Sequence, residues 1–454
     1  MKYRILFLAT SLVCSTSYGL TVRDALIAAY KNNKELLVTR QLVIAKHESI
    51  VQAKGGFRPT VKASVSETYS DGMNKTDASS LHQYSRGKNR KATVVASQNL
   101  FKGGSDWATV SKTEHDILNF WAQLKDKEQE VFLNVIKAYL SLYAKFATVE
   151  VYKANLAFTK HQFESASTKR RVGEETVTQE SLAEAKYREA ESRLENGLSD
   201  LEAAKAVFEQ LTGLVAPESV ERPKELVEVP QSAELLQEIS LRENPKITQA
   251  VEALASAKQD KKVKTGTLLP SLDLQASTTK TMDSTKKTFG DQAINKTKSL
   301  GVNNEVGLTL GLQLYDAGIN RSQRRQASET IVQSRMGIEK AQQDLVRDCK
   351  QTYRAYLAAK VNMESTQKQV AAQEVAVQGT TQEMAAGTKI MFDVLNAQSQ
   401  LLQAKLDLIT AIQNYYTYFY QMLSLQGKLT ATGLELPVEI FHPEQNYNEI
   451  KNNF

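Results

Sequence analysis

The sequence predicts a mainly α-helical protein with transmembrane β-structure, internally duplicated, and three observations carry that prediction. The first is a repeat. Val94-Val95-Ala96-Ser97-Gln98-Asn99-Leu100-Phe101, with Gly103-Gly104 behind it, returns 214 residues later as Leu308-Thr309-Leu310-Gly311-Leu312-Gln313-Leu314-Tyr315 with Gly318. The same offset pairs Tyr139 with Tyr353, Gly173 with Gly387, Ala183 with Ala397 and Gly213 with Gly427. Upstream of the strands the offset is 211, matching Asn33 to Asn244 and Pro59 to Pro270, so a three-residue change falls in the polar segment between. Insertions of this kind settle in loops, which bury little. The second observation is that all eight prolines lie outside two long spans, Lys102–Ala216 and Ser271–Leu436, where uninterrupted helices can run. The third is four short segments in which apolar and polar residues alternate.

Residues 1–19 carry a basic start at Lys2 and Arg4, an apolar run from Ile5 to Val13, and small residues at Ser17 and Gly19. That pattern is a secretory signal peptide cleaved before Leu20; Val13 before Cys14 is a poor lipidation context. Past it, Cys349 is the single cysteine, which excludes an intramolecular disulfide and reads as a small apolar helix residue. No later run reaches the ~18 apolar residues of a membrane-spanning helix. An exported chain of this type is soluble beyond the inner membrane or enters a membrane as strands. The net charge of +6 is spread among interleaved Lys and Glu, without the clustered basic face that nucleic-acid binding requires.

Helices are expected over 22–54 and, in the second copy, 233–264. The span 102–172 is rich in Ala, Leu, Lys, Glu and Gln, with apolar residues such as Val131, Val135, Ala138, Leu142 and Phe146 at helical spacing. At ~1.5 Å per residue it gives one helix on the order of 100 Å long; 317–386 reads alike. Such lengths imply coiled-coil packing. Gly173 and Gly387 turn each long helix back into shorter ones over 174–211 and 389–425. The units are therefore 20–230 and 231–437, followed by a flexible tail, 438–454. The aromatic cluster Tyr415, Tyr416, Tyr418, Phe419 and Tyr420 lies late in a returning helix and is read as inter-helix packing rather than a membrane belt.

Among the alternating segments the clearest places Val306, Leu308, Leu310, Leu312 and Leu314 on one face against Gly307, Thr309, Gly311 and Gln313 on the other. Leu272–Leu274, Val61–Val65 and Thr93–Phe101 are weaker versions. Lengths of ~9–11 residues suit a membrane-crossing strand, and 71–90 and 282–304 read as polar tips outside it. A half-buried strand of a soluble sheet is the competing reading. Natural membrane barrels begin at about eight strands, and an open edge in lipid leaves backbone groups unpaired. Membrane-spanning strands would therefore require association, with two chains supplying eight strands or three supplying twelve.

These features resemble the TolC family of outer-membrane channels, over about Leu20 to Pro437. The most specific pieces are Leu314-Tyr315-Asp316-Ala317-Gly318, Gly387-Thr388-Lys389-Ile390-Met391-Phe392-Asp393-Val394-Leu395-Asn396 and Phe208-Glu209-Gln210-Leu211-Thr212-Gly213. The resemblance implies a homotrimer with a twelve-stranded β-barrel in outer-membrane lipid and a coiled-coil α-barrel crossing the periplasm. It implies docking to a periplasmic adaptor (membrane fusion protein) and an inner-membrane efflux pump or ABC exporter. The cargo would be small toxic molecules or unfolded protein, with no chemistry and no cofactor in the channel itself.

The resemblance also implies a periplasmic gate. Asp393 falls on a position that supplies constricting carboxylates, although a helix dipole equally favours an aspartate near a helix start. Asn396 stands where a second acid is often found, Gln179 in place of a linking aspartate, and Met384 in place of a tyrosine. Lys389 holds the basic linking position, facing Gln179 or Thr178 as neutral acceptors. Fewer ionic locks and one acidic ring are therefore expected. The tips, Val172-Gly173-Glu174 and Ala386-Gly387-Thr388, match adaptor-contacting positions, while any helical hairpin also needs a glycine turn.

Enzymatic readings find little support. His47-Glu48-Ser49-Ile50-Val51 lacks the second histidine of a zinc-protease motif, and no metal site, nucleophile elbow or phosphate loop appears. The competing function is a periplasmic coiled-coil adaptor or scaffold without a pore, which would have to bury the Val306–Leu314 face.

Overall fold

The computed structural model describes residues 20–75, 82–225, 230–289 and 292–452; the expected signal peptide lies outside them. The chain runs α1 (Val22–Asn32), α2 (Lys34–Lys54), β1 (Thr60–Lys75), β2 (His82–Lys102), α3 (Ser105–Arg171) and α4 (Val177–Thr212). It then repeats the series as α5 (Ala233–Glu243), α6 (Pro245–Gly266), β3 (Ser271–Phe289), β4 (Gln292–Gly311), α7 (Ile319–Ala385) and α8 (Met391–Leu425), and adds α9 (Pro443–Asn452). Both long helices have 67 residues, and the short leading helices α1 and α5 have 11 each. Equal element lengths are what a duplicated unit leaves behind.

Each leading helix, expected as one piece, is broken in two at the equivalent asparagines Asn33 and Asn244. The Asn33 side chain accepts from Leu36 N at 3.1 Å, capping α2, and donates to Leu211 O at 2.9 Å. Asn244 accepts from Lys246 N at 3.0 Å and donates to Leu425 O at 2.9 Å. Both asparagines have extended backbone and are about 5% exposed or less. Each break is thus bonded to the last turn of its own repeat's returning helix, and the residue before Pro245 is in any case disfavoured in the α region. Gly427, just past α8, has φ 72°, and a Cβ there would meet Glu243 O at 2.5 Å. Only glycine permits that approach.

The chain packs into two compact units, each drawing on both repeats. One gathers the residues up to Gln41, Ala122–Ile247 and Ala341–Phe441. Its core is aromatic: Phe132, Tyr139, Phe208, Phe419 and Tyr420 are fully buried. The Tyr139 hydroxyl lies 2.8 Å from the carbonyls of both Leu20 and Glu221; its counterpart Tyr353 donates to Gln231 O at 2.6 Å. Tyr420 donates to Lys224 O at 2.9 Å, Tyr415 bonds Glu225, and Tyr415 stacks on Tyr356 at 5.4 Å. The aromatic cluster is therefore inter-helix packing, with its hydroxyls tying down the proline-bearing linker. Cys349 is buried and free.

The other unit comprises Leu42–Trp121, Thr248–Lys340 and the residues from His442 onward. It contains one antiparallel sheet in the order β1-β2-β3-β4. The strands have 16, 21, 19 and 20 residues. They run on through most of the segments expected as polar tips, with register unbroken from Glu67↔Arg90 to Lys75↔His82. Above an apolar band both faces of a strand are polar, so the two-residue period disappears from the sequence while backbone pairing continues. Asp316 accepts from Gly318 N at 2.9 Å and Asn320 N at 2.7 Å, capping α7 and holding its carboxyl below the ordinary aspartate value.

The tail differs from the flexible segment expected, because α9 packs within this second unit. His47 Nε2 accepts from Trp121 Nε1 at 2.9 Å, and its Nδ1 lies 2.8 Å from Asn446 Oδ1. Tyr447 makes edge contacts with both rings, and Lys451 pairs with Glu114 at 2.9 Å. With both ring nitrogens engaged, His47 is a structural residue.

Burial raises the ionisation of Tyr139, Tyr415 and Tyr420 above that of a free tyrosine. Above pH ~10 the unfolded chain loses phenolic protons that the folded state keeps, so stability falls as pH rises. Chemical denaturation should show a stability plateau below that pH and a decline above it, shallower in Tyr139→Phe and Tyr420→Phe than in the parent.

Candidate functional sites at the hairpin tips and on the sheet

Both hairpin tips close by the same backbone motif. After α3, Gly173 N bonds Arg170 O at 3.0 Å and Glu174 N bonds Lys169 O at 2.9 Å. After α7, Gly387 N bonds Met384 O at 3.0 Å and Thr388 N bonds Glu383 O at 2.9 Å. This double closure needs a left-handed residue, and Gly173 and Gly387 have φ 81° and 78°. A Cβ on either would meet nothing within 4 Å, so the glycines serve the turn itself. Val172, Glu174, Ala386 and Thr388 are exposed.

The returning helices begin at equivalent positions with different chemistry. Thr176 caps α4 by accepting from Gln179 N at 3.2 Å. Ile390 has no such group; instead the Asp393 carboxylate reaches back to Ile390 N at 3.4 Å. Gln179 and Asp393, named separately from the sequence, are one position in two repeats. Asp393 is half-buried, Asn396, Thr178 and Lys389 are exposed, and among the described residues no bond within the chain engages Lys389. Gln179 Oε1 is buried without a partner.

What joins the two hairpins near their tips is apolar. Ala166 of α3, Ala183 of α4, and Met391 and Leu395 of α8 form a buried cluster, with Phe158, Phe163, Leu182 and Met384 packed on it. Met384 therefore contributes to a hydrophobic contact. Its counterpart in the first hairpin, Arg170, pairs with Glu180 and holds that carboxyl below its ordinary value. Farther from the tips, Gln398 donates to Asn155 at 3.2 Å beside a polar cavity of about 240 Å³ that includes Lys186, Glu189 and Arg193. The sequence reading missed the exposed apolar tip residues Val177, Ile390 and Phe392, which are 60%, 54% and 48% exposed; their place beside the turns was the available signal.

Along the strand halves farther from the β-hairpin turns, the sheet has one largely apolar and one polar face. Cross-strand partners share a face; Leu310 opposes Leu272, Leu308 opposes Leu274, and Val306 opposes Ala276. Ala276 opposes Ala96 and Ala96 opposes Val61, carrying the apolar face across to β1. The intervening residues, such as Thr309, Asp273, Gln275 and Ser97, form the opposite face. Val306, Leu308 and Leu310 are 76%, 62% and 71% exposed. Leu312 and Leu314 continue the exposed row past the end of β4. β1 and β4 are the outer strands of the sheet.

A family model described as outer membrane efflux protein matches the chain twice, over residues 26–214 and 236–428. Outer membrane efflux protein BepC of Brucella suis is 27% identical over 447 residues, covering 98% of this chain and 94% of its own. Outer membrane protein TolC of Escherichia coli is 24% identical over 396 residues, covering 86% of this chain and 78% of its own. The fold matches the crystal structure of the Campylobacter jejuni CmeC outer membrane channel with a TM-score of 0.75 at 14% identity, over 95% of this chain and 89% of that one.

Replacing Gly387 by alanine keeps the turn's space but imposes a left-handed alanine, at about 1–2 kcal/mol. Hydrogen exchange at Thr388 should accelerate by about tenfold, with little change in amides of the sheet.

Proposed function

Since the chain belongs to the outer membrane efflux protein family, whose members are non-enzymatic outer-membrane channels extending into the periplasm, we propose that it works as a homotrimeric channel-tunnel. In this reading it is the exit duct for tripartite drug efflux, for type I protein secretion, or for both. An inner-membrane efflux pump or ABC exporter drives transport, joined to the channel through a periplasmic adaptor.

The observation that carries the reading is the sheet: an exposed apolar face, a polar reverse face, and two unpaired outer strands. A sheet edge in hydrocarbon must be paired, and side-by-side copies of this sheet pair β4 of one with β1 of the next. Three copies supply twelve strands, within the range of natural barrels. Val306, Leu308, Leu310, Leu312 and Leu314 then face lipid, and Thr309, Asp273 and Gln275 face the lumen. A pore-free adaptor or scaffold would leave that row in water.

At the proposed gate, three Asp393 carboxylates around a threefold axis would favour cations. Among the described residues nothing bonds the Lys389 ammonium, and Gln179 Oε1 is a buried acceptor without a partner; a bond from one to the other, between hairpins, fits the closed state. A neutral acceptor makes this link weaker than a salt bridge. The tips at Val172–Glu174 and Ala386–Thr388, with Val177, Ile390 and Phe392 beside them, are the adaptor-contacting surface.

Planar-bilayer recordings of the purified protein should give small, cation-favouring openings, and Asp393→Ala should raise conductance and reduce cation preference. Failure of the folded protein to insert would favour the scaffold. Lys389→Ala should increase the open fraction, and an unchanged closed state would remove Lys389 from the gate. In cells lacking the gene, restored resistance to dyes and detergents would identify efflux, and restored release of a protein cargo would identify secretion.

A further inference from the structure

The apolar sheet face ends in a concentration of positive charge at the strand ends nearest the β-hairpin turns. From Leu310 to Leu300 on β4 is ten residues; at ~3.4 Å each and a tilt of ~40° they rise ~26 Å, close to the ~25 Å apolar band of outer-membrane barrels, and the one polar β4 residue on this face between them, Asn304, accepts from Thr278 at 2.7 Å. The next residues on that face are Lys298 and Lys296. Across the sheet, Lys298 opposes Ser284 and Ser284 opposes Lys88; Leu300 opposes Met282 and Met282 opposes Arg90. Lys280, Lys286 and Arg86 lie on the same face by the same registers. The acids on this part of the face are Glu67, which pairs with Lys88 and with Arg90 at 3.0 Å, and Asp71, which pairs with Arg86 at 3.3 Å. Among the described residues no carboxylate pairs with Lys280, Lys286, Lys296 or Lys298.

These side chains enclose a recess. Lys88, Arg90, Ser284 and Lys298 supply donors, and Met282 and Leu300 supply apolar walls, around a cavity of about 490 Å³ completed by Asp283 and Ser299. The Asp283 carboxylate is engaged by Asn89 on the reverse face. We propose that this recess binds the phosphate of a phosphorylated glycolipid in the outer leaflet, with the sugar in the cavity and the acyl chains along the apolar face below. The proposal rests on the lipid-facing assignment made above.

Three points select this occupant. The site lies at headgroup depth on a face turned to lipid, where a soluble macromolecule has no access. Arg90 and Lys88, two residues apart on one strand, share Glu67, and Lys298 across the sheet has no carboxylate partner among the described residues, so three cations against one carboxylate leave this face of the recess with excess positive charge for a phosphate. Met282 and Leu300 join the cationic rim directly to the hydrocarbon face, which suits an amphiphile better than a free ion. Lys280, one row below, has a stem long enough to direct its ammonium toward the same boundary.

The test uses purified full-length protein in lipid nanodiscs, with retained lipid read by native mass spectrometry. The parent should retain bisphosphorylated lipid A over dephosphorylated lipid A and phosphatidylethanolamine by about tenfold. Lys88→Gln with Lys298→Gln should lose that preference and leave conductance unchanged. Equal retention of the three lipids, or an undiminished preference in the double variant, would overturn the proposal. Displacement of lipid A by excess inorganic phosphate alone would reassign the site to the free ion. Val306→Trp, with quenching by brominated lipid chains compared with the parent's Trp107 and Trp121 background, reports separately on the face. Quenching without lipid A retention sinks this site and keeps the lipid face, whereas absent quenching sinks the lipid-face assignment itself.

Discussion

The constraint on which the rest of this structure depends is the unpaired backbone at the two outer strands of its sheet. In hydrocarbon no water can satisfy those N–H and C=O groups, so a four-stranded sheet with one apolar face is incomplete as a single chain. In the proposed channel, association with further copies is therefore a condition of the membrane state. In the proposed channel the exposed apolar row has lipid as its partner, and burying it within the chain would remove the face that a closed barrel turns outward.

Duplication supplies the parts and divergence differentiates them. The backbone devices are kept in both copies: the asparagine breaks at 33 and 244, the tyrosine bonds from 139 and 353, and the left-handed glycines at 173 and 387. These satisfy main-chain groups that helix ends and linkers would otherwise leave unpaired. Side chains at the tips are free of that demand and have changed. One hairpin carries the Arg170–Glu180 pair, while the other presents Met384 to the apolar cluster. One returning helix starts with a threonine cap and Gln179, the other with Asp393 reaching back to Ile390. An apolar cluster near the tips has no directional bonds to break, and in the proposed gate a polar link from Lys389 to Gln179 would set which state is favoured.

Much of the fold was legible in the sequence. The repeat, the proline-free spans and the Val306–Leu314 alternation gave the duplication, the long helices and the apolar strand face, because each is a periodic signal sustained over many residues. The helix breaks were harder, because a single buried asparagine overrides a helical pattern only when a carbonyl stands opposite to receive its amide. The upper parts of the strands were read as loops because polar residues on both faces erase the period while the ladder continues. The tail was read as flexible because α9 is polar, and its order comes from Tyr447, Asn446 and Lys451 meeting partners distant in sequence.

By itself, then, the amino-acid order determined the long helices, the duplication, and the apolar and polar sides of the clearest strand, since these follow from local periodicity and from the chemistry of water and hydrocarbon. Only the tertiary structure decided which carbonyls the asparagines and tyrosines bond, that Gln179 and Asp393 begin equivalent helices with different caps, and that cations from three strands gather around one recess. Those facts depend on cross-strand register and on contacts between residues far apart in the chain, which no local pattern encodes.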